Sequence, residues 1–213
     1  MEVVVSQIED LDKLASCHKK AFPHALSSSM GKPFIRKMLS WYILSERGIL
    51  IHVLKDGHVI GYCGGIKTKK AGLPGAATSI TQYSFKTFLS SFLIRPWLIF
   101  HAENKKRLSF IKRNLQYKIG LKKPSTLIMS SVTREEFVPF WGLVVIGVDP
   151  QVQGKGAGSM MLQEFERLAK SDAAKKLTLS VKPDNQKAIK AYEQNGWIAG
   201  AISEESLNMN KLL

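Results

Sequence analysis

Two cysteines, Cys17 and Cys63, stand in 213 residues, too few for a disulfide framework and without metal-ligand spacing. No apolar run is long enough to span a bilayer, nothing reads as a cleavable signal, and no repeat or low-complexity linker divides the chain. His18, His24, His52 and His58 show no metal spacing and are read as structural or solvated, so no metal is expected. These absences predict a single cytoplasmic, reduced domain, and the 45% apolar content is ample for a core. Acid is scarce in one place. Residues 67–123 hold 13 Lys or Arg against one acid, Glu103, whereas residues 1–66 carry 8 basic and 6 acidic side chains and residues 124–213 carry 10 of each. Almost the whole net charge of +14 therefore sits in one segment.

What is present is an alternation of strand and helix patterns. Val3–Ser6 reads as a strand. Ile8–Phe22 has a helical period through Ile8, Leu11, Leu14, Ala15 and His18, closed by Pro23. Gly31–Ser45 is a second helix, with Phe34, Ile35, Met38, Leu39 and Tyr42 on one face. Ile49–Leu54 and Val59–Ile66 are strands joined at Asp56-Gly57, a hairpin turn signal. After a loop-like stretch at 71–77, Phe85, Phe88, Leu89, Phe92 and Leu93 form a helical apolar stripe that stops before Pro96. A second helical pattern runs through Leu108, Ile111, Leu115 and Ile119, amid Lys105, Lys106, Arg107, Lys112, Arg113 and Lys118. Thr126–Val132 reads as an additional strand. Beyond residue 159 come a helix with Met161, Phe165, Leu168 and Ala169 inward, a strand over Leu177–Val181, a helix from Asp184 to Asn195-Gly196, and closing strands at Trp197–Ile202 and Ser206–Asn210.

The most informative stretch is Gly142–Ser159, GLVVIGVDPQVQGKGAGS. Its first half is a buried-strand pattern, which Asp149-Pro150 ends because proline has no ladder donor and restricts the residue before it. Three alternate glycines then lead into a helical pattern. A strand, a glycine-rich turn and a helix start build an anion site: the first N–H groups of the helix are unpaired, its dipole is positive there, and glycine admits a phosphate close to the backbone. A Walker A loop is excluded because Asp149 and Gly156 stand where glycine and Ser or Thr are required. A dinucleotide fingerprint fails at Ser159 when begun at Gly154, and at Met161 when begun at Gly156.

What remains, Val148-Asp149-Pro150 followed by Gln153-Gly154-Lys155-Gly156-Ala157-Gly158, resembles the acetyl-CoA loop Q/R-x-x-G-x-G/A of the GNAT acyltransferase superfamily. Gln151 also fits that spacing, but the distance from Val148 and Pro150 favours Gln153. A second run, N-x-x-A-x-x-x-Y-x-x-x-G-W from Asn185 to Trp197, is similar to the family's N-x-x-A-x-x-x-Y-x-x-x-G-F. Asn185, Ala188 or Ile189, and Tyr192 share one helix face. Standing alone, the pair would be a helix cap and a core aromatic; its order after the loop makes it specific. The resemblance is close over 142–210, loose over 1–66, and silent over 67–137.

The resemblance implies an α/β fold with a mixed, mostly antiparallel sheet flanked by helices. It implies acetyl-CoA as co-substrate and acetyl transfer to the primary amine of a small acceptor. Ile146 and Val148 would bond the pantetheine arm through their backbone, and Gln153, Gly154, Lys155, Gly156, Ala157, Gly158 and Ser159 would hold the pyrophosphate. Asn185 would contact the cofactor, and Tyr192 would protonate the leaving thiolate. A phenol of pKa about 10 suits that donor role and makes a poor base at neutral pH. The general base is not evident: Gly142–Val148 has no titratable side chain, and the candidates are Glu135, Glu136, His101 and Glu103.

Residues 67–137 depart from the compact family core and are expected to form a basic helical insertion between the third and fourth strands of a single domain spanning 1–213. The basic segment is either a solvated face, a lid for an anionic acceptor such as a nucleotide-linked amino sugar, or a patch (83–123) for an anionic membrane at the inner face. No base-reading module accompanies the charge, which argues against nucleic acid. The insertion also resembles that of bacterial GNAT proteins associated with surface-polysaccharide assembly, which tilts the expectation towards an amino-sugar or lipid-linked acceptor. The rival is a non-catalytic acyl-CoA-binding or membrane-peripheral module on the same fold.

Overall fold

The computed structural model describes residues 1–101, 137–203 and 205–213. In chain order the elements are β1 (Glu2–Val5), a 3-10 turn (Ile8–Asp10), α1 (Leu11–Ala21), α2 (Leu26–Ser29), α3 (Lys32–Leu44), β2 (Gly48–Lys55), β3 (His58–Thr68), α4 (Ala76–Ile94) and a 3-10 turn (Pro96–Phe100). The second half follows as β4 (Phe140–Val148), a 3-10 turn (Pro150–Val152), α5 (Ala157–Ser171), β5 (Lys176–Val181), α6 (Gln186–Gln194), β6 (Ile198–Ile202) and β7 (Leu207–Leu212). The expected helical pattern over 108–119 and the strand at 126–132 lie outside the described residues, as do Glu103, Glu135 and Glu136.

Among the described residues the strands form one seven-stranded sheet in the order β1-β2-β3-β4-β5-β7-β6. Every neighbouring pair is antiparallel except β4 with β5. The β2–β3 hairpin turns at Asp56 and Gly57, both at positive φ (51° and 75°), which matches the right-handed twist of the flanking strands. The amphipathic helices bury what their periods predict. On one face α5 and α6 bring Met161, Leu162, Phe165, Ile189 and Tyr192 into a core with Leu177, Leu179 and Met209. On the other, α1 and α3 bring Leu14, Ile35, Leu39 and Tyr42 against Leu50, Tyr62 and Ile66. At Gly65 a Cβ would lie 2.4 Å from the Phe165 ring, so the close seat of α5 on β3 requires glycine.

Two local differences from the sequence reading have physical causes. The first helical pattern opens as a 3-10 turn, in which the Gln7 N–H is taken by Asp10 Oδ2 at 2.9 Å, and the α-helix proper starts at Leu11. The stripe expected on α4 is split: Phe88 and Phe92 pack with Leu26, Met30, Phe34 and Leu98, whereas Leu89 and Leu93 face outward. Small buried residues, Ser84 and Ser91, take the remaining inner positions by donating to carbonyls a turn back, Ile80 and Thr87. That lets α4 lie close on α3.

Candidate active site

The site begins with a change of register. Opposite Gly64 and Gly65, β4 places Val145 and Leu143, leaving Val144 as an extra residue. Before this bulge Trp141 and Leu143 point to the α5 face; after it Ile146 and Val148 do, and Val145 packs against the α1/α3 side. The parallel ladder to β5 ends at the same level, with Leu143 opposite Leu179. From Val144 onward β4 has no partner on that side among the described residues, while Ser180 and Val181 continue on β7. The result is a wedge between two strands.

Ile146 and Val148 line this opening. The Val148 carbonyl points away from β3 and accepts from Gln153 Nε2 at 3.1 Å, and Ile146 shares that side by the two-residue strand period. Asp149 closes the strand. Its carboxylate accepts from the Gln151 N–H at 3.1 Å and pairs with Lys20 Nζ at 2.9 Å, tying the loop to the end of α1. The hydrogen bond from Lys20 holds the Asp149 carboxyl below the usual carboxylate range.

The glycine loop then turns into α5. Gly154 and Gly156 sit at φ 78° and 87°, and a Cβ at Gly154, Gly156 or Gly158 would meet nothing within 4 Å. These glycines are thus not required by packing; they leave one side of the loop open. Gly156 is the N-cap without a side-chain cap bond, and the first helical bond runs from the Met160 N–H to the Gly156 carbonyl. The N–H groups of Ala157, Gly158 and Ser159 therefore stand before the helical ladder, in a concavity suited to an anion. Lys155 is exposed beside them.

The structure joins some of the sequence-predicted residues, Gln153 to Val148 and Ser159 to the end of α6. Gln153 is exposed and held by Lys187 Nζ at 2.6 Å as well as by Val148. Asn185 caps α6, its Oδ1 accepting from the Ala188 N–H at 3.2 Å. Ser159 Oγ accepts from Asn195 Nδ2 at 3.1 Å, which joins the start of α5 to the end of α6. Tyr192 is buried with Trp197 at 6.0 Å between ring centroids, in the same core layer as Cys63, Ile146 and Val148. Burial pushes its phenol up to about 12, so it keeps its proton at neutral pH.

Sequence motifs did not point to the cleft at the narrow end of the wedge. It has a volume of about 440 Å³, and Leu143 and Leu179 line it together with Thr178, Ser180, Asn208 and Asn210. The available signal was the strict apolar–polar alternation of LTLSV and LNMNK, which marks a sheet with one wet face. Among the described residues no group of three or more His, Cys, Asp or Glu is arranged to hold a metal ion.

The Acetyltransferase (GNAT) family profile matches residues 120–197, a span that includes both motifs. The solved fold neighbours agree. The chain has the fold of the GNAT acetyltransferases, and over that span its sequence is similar to the family. One neighbour is the PaiA N-acetyltransferase from Thermoplasma acidophilum in complex with coenzyme A, at 13% identity and TM-score 0.56 over 100% of both chains. A ribosomal-protein-alanine N-acetyltransferase from Brucella melitensis aligns at 12% identity and TM-score 0.57, again over 100% of both. An aminoglycoside 6'-N-acetyltransferase from Acinetobacter haemolyticus aligns at 10% identity and TM-score 0.56, over 95% of this chain and 94% of that one. No curated protein matches the sequence. GNAT acetyltransferases use acetyl-CoA as acyl donor. Among the described residues no helix is long and apolar enough to cross a membrane.

Proposed function

We propose that this GNAT protein transfers the acetyl group of acetyl-CoA to the primary amine of a small acceptor, an amino sugar or nucleotide-linked amino sugar. One observation carries the reading: the wedge between β4 and β5 opens from a polar cleft at its tip to a glycine-rich helix N-terminus at its mouth. Ile146 and Val148 offer backbone groups along the gap, and the loop from Gln153 to Ser159 offers N–H groups to a pyrophosphate. Asn185 fixes the start of α6 and thereby the placement of Tyr192. The amine nitrogen attacks the thioester carbon, the C–S bond breaks, and Tyr192 gives its proton to the departing sulfur before solvent restores it. The amine's own proton leaves to solvent or to one of the candidates Glu135, Glu136, His101 and Glu103, since β4 itself carries no titratable side chain. The family match and the fold neighbour in complex with coenzyme A do not favour the non-catalytic alternative. The test is coenzyme A release with a panel of amines: turnover that requires both acetyl-CoA and an amine supports the reading, and acetyl-CoA binding without turnover for any amine contradicts it.

Residues 67–137 form, in this reading, an insertion on the GNAT domain. Its described part, α4, docks on α3 through Phe34 and Phe88, with ring centroids 6.2 Å apart, and through Lys37 over the Tyr83 ring at 4.0 Å. A second role for this region, contact with an anionic membrane through 83–123, is favoured by exposed side chains at the end of α4 and in the turn after it. Leu93 is 84% exposed, Trp97 62% and Phe100 82%. Apolar side chains beside Lys86 and the basic sequence that follows suit a headgroup boundary. Salt-sensitive sedimentation with phosphatidylglycerol vesicles, lost in Leu93→Glu/Phe100→Glu, is the expected result; equal sedimentation of variant and parent would contradict it.

A further inference from the structure

This inference stands apart from the acetyl-transfer reading and concerns the other face of the sheet. We propose that the cleft between α1, α3 and α4 is an anion site, which takes the terminal phosphate of a ligand on Lys32, Arg36 and Lys37. The cleft has a volume of about 480 Å³, and these three cations line it together with Ser40 and Thr87. It is separate from the glycine loop: α3 packs on the face that holds Leu50, Tyr62 and Ile66, whereas α5, which the loop opens, packs on the opposite one.

The charge pattern marks the cleft. The sequence of α3, KPFIRKMLSWYIL, carries three cations and no acid. Lys32 sits in the first turn, where the helix dipole favours negative charge, and Arg36 follows four residues on, on the same face. Both placements cost the helix free energy, and Gly31 supplies no side-chain cap to offset them. Breaches of local rules gathered in one place mark functional or strained sites.

The compensation inside the protein is incomplete. Asp12, on α1, pairs with Lys32 Nζ at 3.1 Å and with Arg36 Nη1 at 3.2 Å. All three side chains are about half exposed, so these pairs are weak and open to exchange. Both carboxylate contacts of Arg36 fall on Nη1, and its Nε and Nη2 have no partner among the described residues. Lys37 Nζ lies over the Tyr83 ring at 4.0 Å and has no carboxylate partner among the described residues. Three cations less one carboxylate leave two positive charges. A terminal phosphate carries about two negative charges and offers three acceptor oxygens. A guanidinium edge holds two of those oxygens at once, and ammonium groups meet the third as point charges. A carboxylate ligand, with one charge and two oxygens, would leave part of the cluster unpaired.

The probe is inorganic pyrophosphate, titrated by calorimetry into the Gly156→Glu protein, so that a carboxylate occupies the glycine loop. One saturable site is expected. Arg36→Gln/Lys37→Gln in that background should raise the Kd about tenfold or more, the scale of a lost charge-assisted hydrogen bond. Asp12→Asn should instead lower the Kd about threefold by freeing Lys32 and Arg36 from a competitor, a direction that a folding defect does not produce. Vesicles of phosphatidylcholine with phosphatidic acid identify the source of the phosphate. Sedimentation of the parent with them, lost in Arg36→Gln/Lys37→Gln, assigns it to a lipid headgroup; pyrophosphate binding without such sedimentation assigns it to a soluble ligand. Absence of saturable binding overturns the inference, as does an unchanged Kd in the double variant or equal or weaker binding by Asp12→Asn.

Discussion

Leu143 and Leu179 are the last partners of the parallel ladder, and beyond them β4 and β5 part. Everything assigned to the site is measured from this pair: the polar cleft lies at it, Tyr192 packs in the core layer beneath it, and the glycine loop follows at the far end of β4. The bulge at Val144 reverses which face the rest of β4 presents, so Ile146 and Val148, not Val145, join the layer that holds Tyr192.

Tyr192 is expected to act through its proton. Its phenol is held near 12 by burial, so Tyr192→Phe removes a donor without altering charge at neutral pH. The expected outcome is a fall in kcat of about 10²-fold or more, with the Kd for acetyl-CoA unchanged. Unchanged kcat on the preferred acceptor would reduce Tyr192 to a packing residue.

His18 makes stability depend on pH. Its Nδ1 lies 2.5 Å from the Tyr62 hydroxyl and its Nε2 2.8 Å from Ser27 Oγ, an arrangement for a neutral ring that accepts at one nitrogen and donates at the other. Burial lowers its pKa to about 4 from 6.5. The unfolded chain therefore takes up the proton first as pH falls. The stabilisation is complete above pH 6.5, declines between 6.5 and 4, and is absent below, an effect of up to about 3 kcal/mol. Urea midpoints measured across that window should fall for the parent and fall less for His18→Gln; parallel slopes would contradict the assignment.

Gly31 and Arg95 hold α4 to the start of α3. Gly31 has φ 90°, a Cβ there would lie 2.9 Å from the Arg95 guanidinium, and Arg95 Nη1 donates to the Met30 carbonyl at 2.8 Å. Gly31→Ala forces a strained backbone and displaces that guanidinium, at a cost of about 1–3 kcal/mol. A urea midpoint for Gly31→Ala equal to the parent's would show that this joint bears no strain.

The sequence made the elements legible where a period or a turn signal ran long enough. The amphipathic stripes of α1, α3 and α5, the Asp56-Gly57 hairpin and the cap at Asn185 all rest on local rules. The bulge at Val144 was hidden because GLVVIGV is apolar throughout, and no alternation marks where its faces exchange. The Lys20–Asp149 pair joins residues far apart in sequence, and periodicity carries no information about it. The outward turn of Leu89 and Leu93 was missed because Ser84 and Ser91, polar by composition, satisfy themselves on the helix backbone and take the buried face. For the candidate site, the loop and Tyr192 were marked by motif, whereas Asn208 and Asn210 gained their relevance only when β7 was seen to lie beside β5.

In the reading proposed above, the loop from Gln153 to Ser159 receives the pyrophosphate of acetyl-CoA. Gly156 is the position to change, because its φ of 87° and the open space around it leave room that only an absent side chain provides. Gly156→Glu places a carboxylate where the anion should sit. The measurement is the rise in Tm caused by acetyl-CoA, taken on parent and variant at the same ligand concentration. The expected outcome is a clear rise for the parent and none for Gly156→Glu, with the two unliganded proteins showing the same fold by circular dichroism. An equal rise in both would place the cofactor elsewhere and overturn the assignment of this loop.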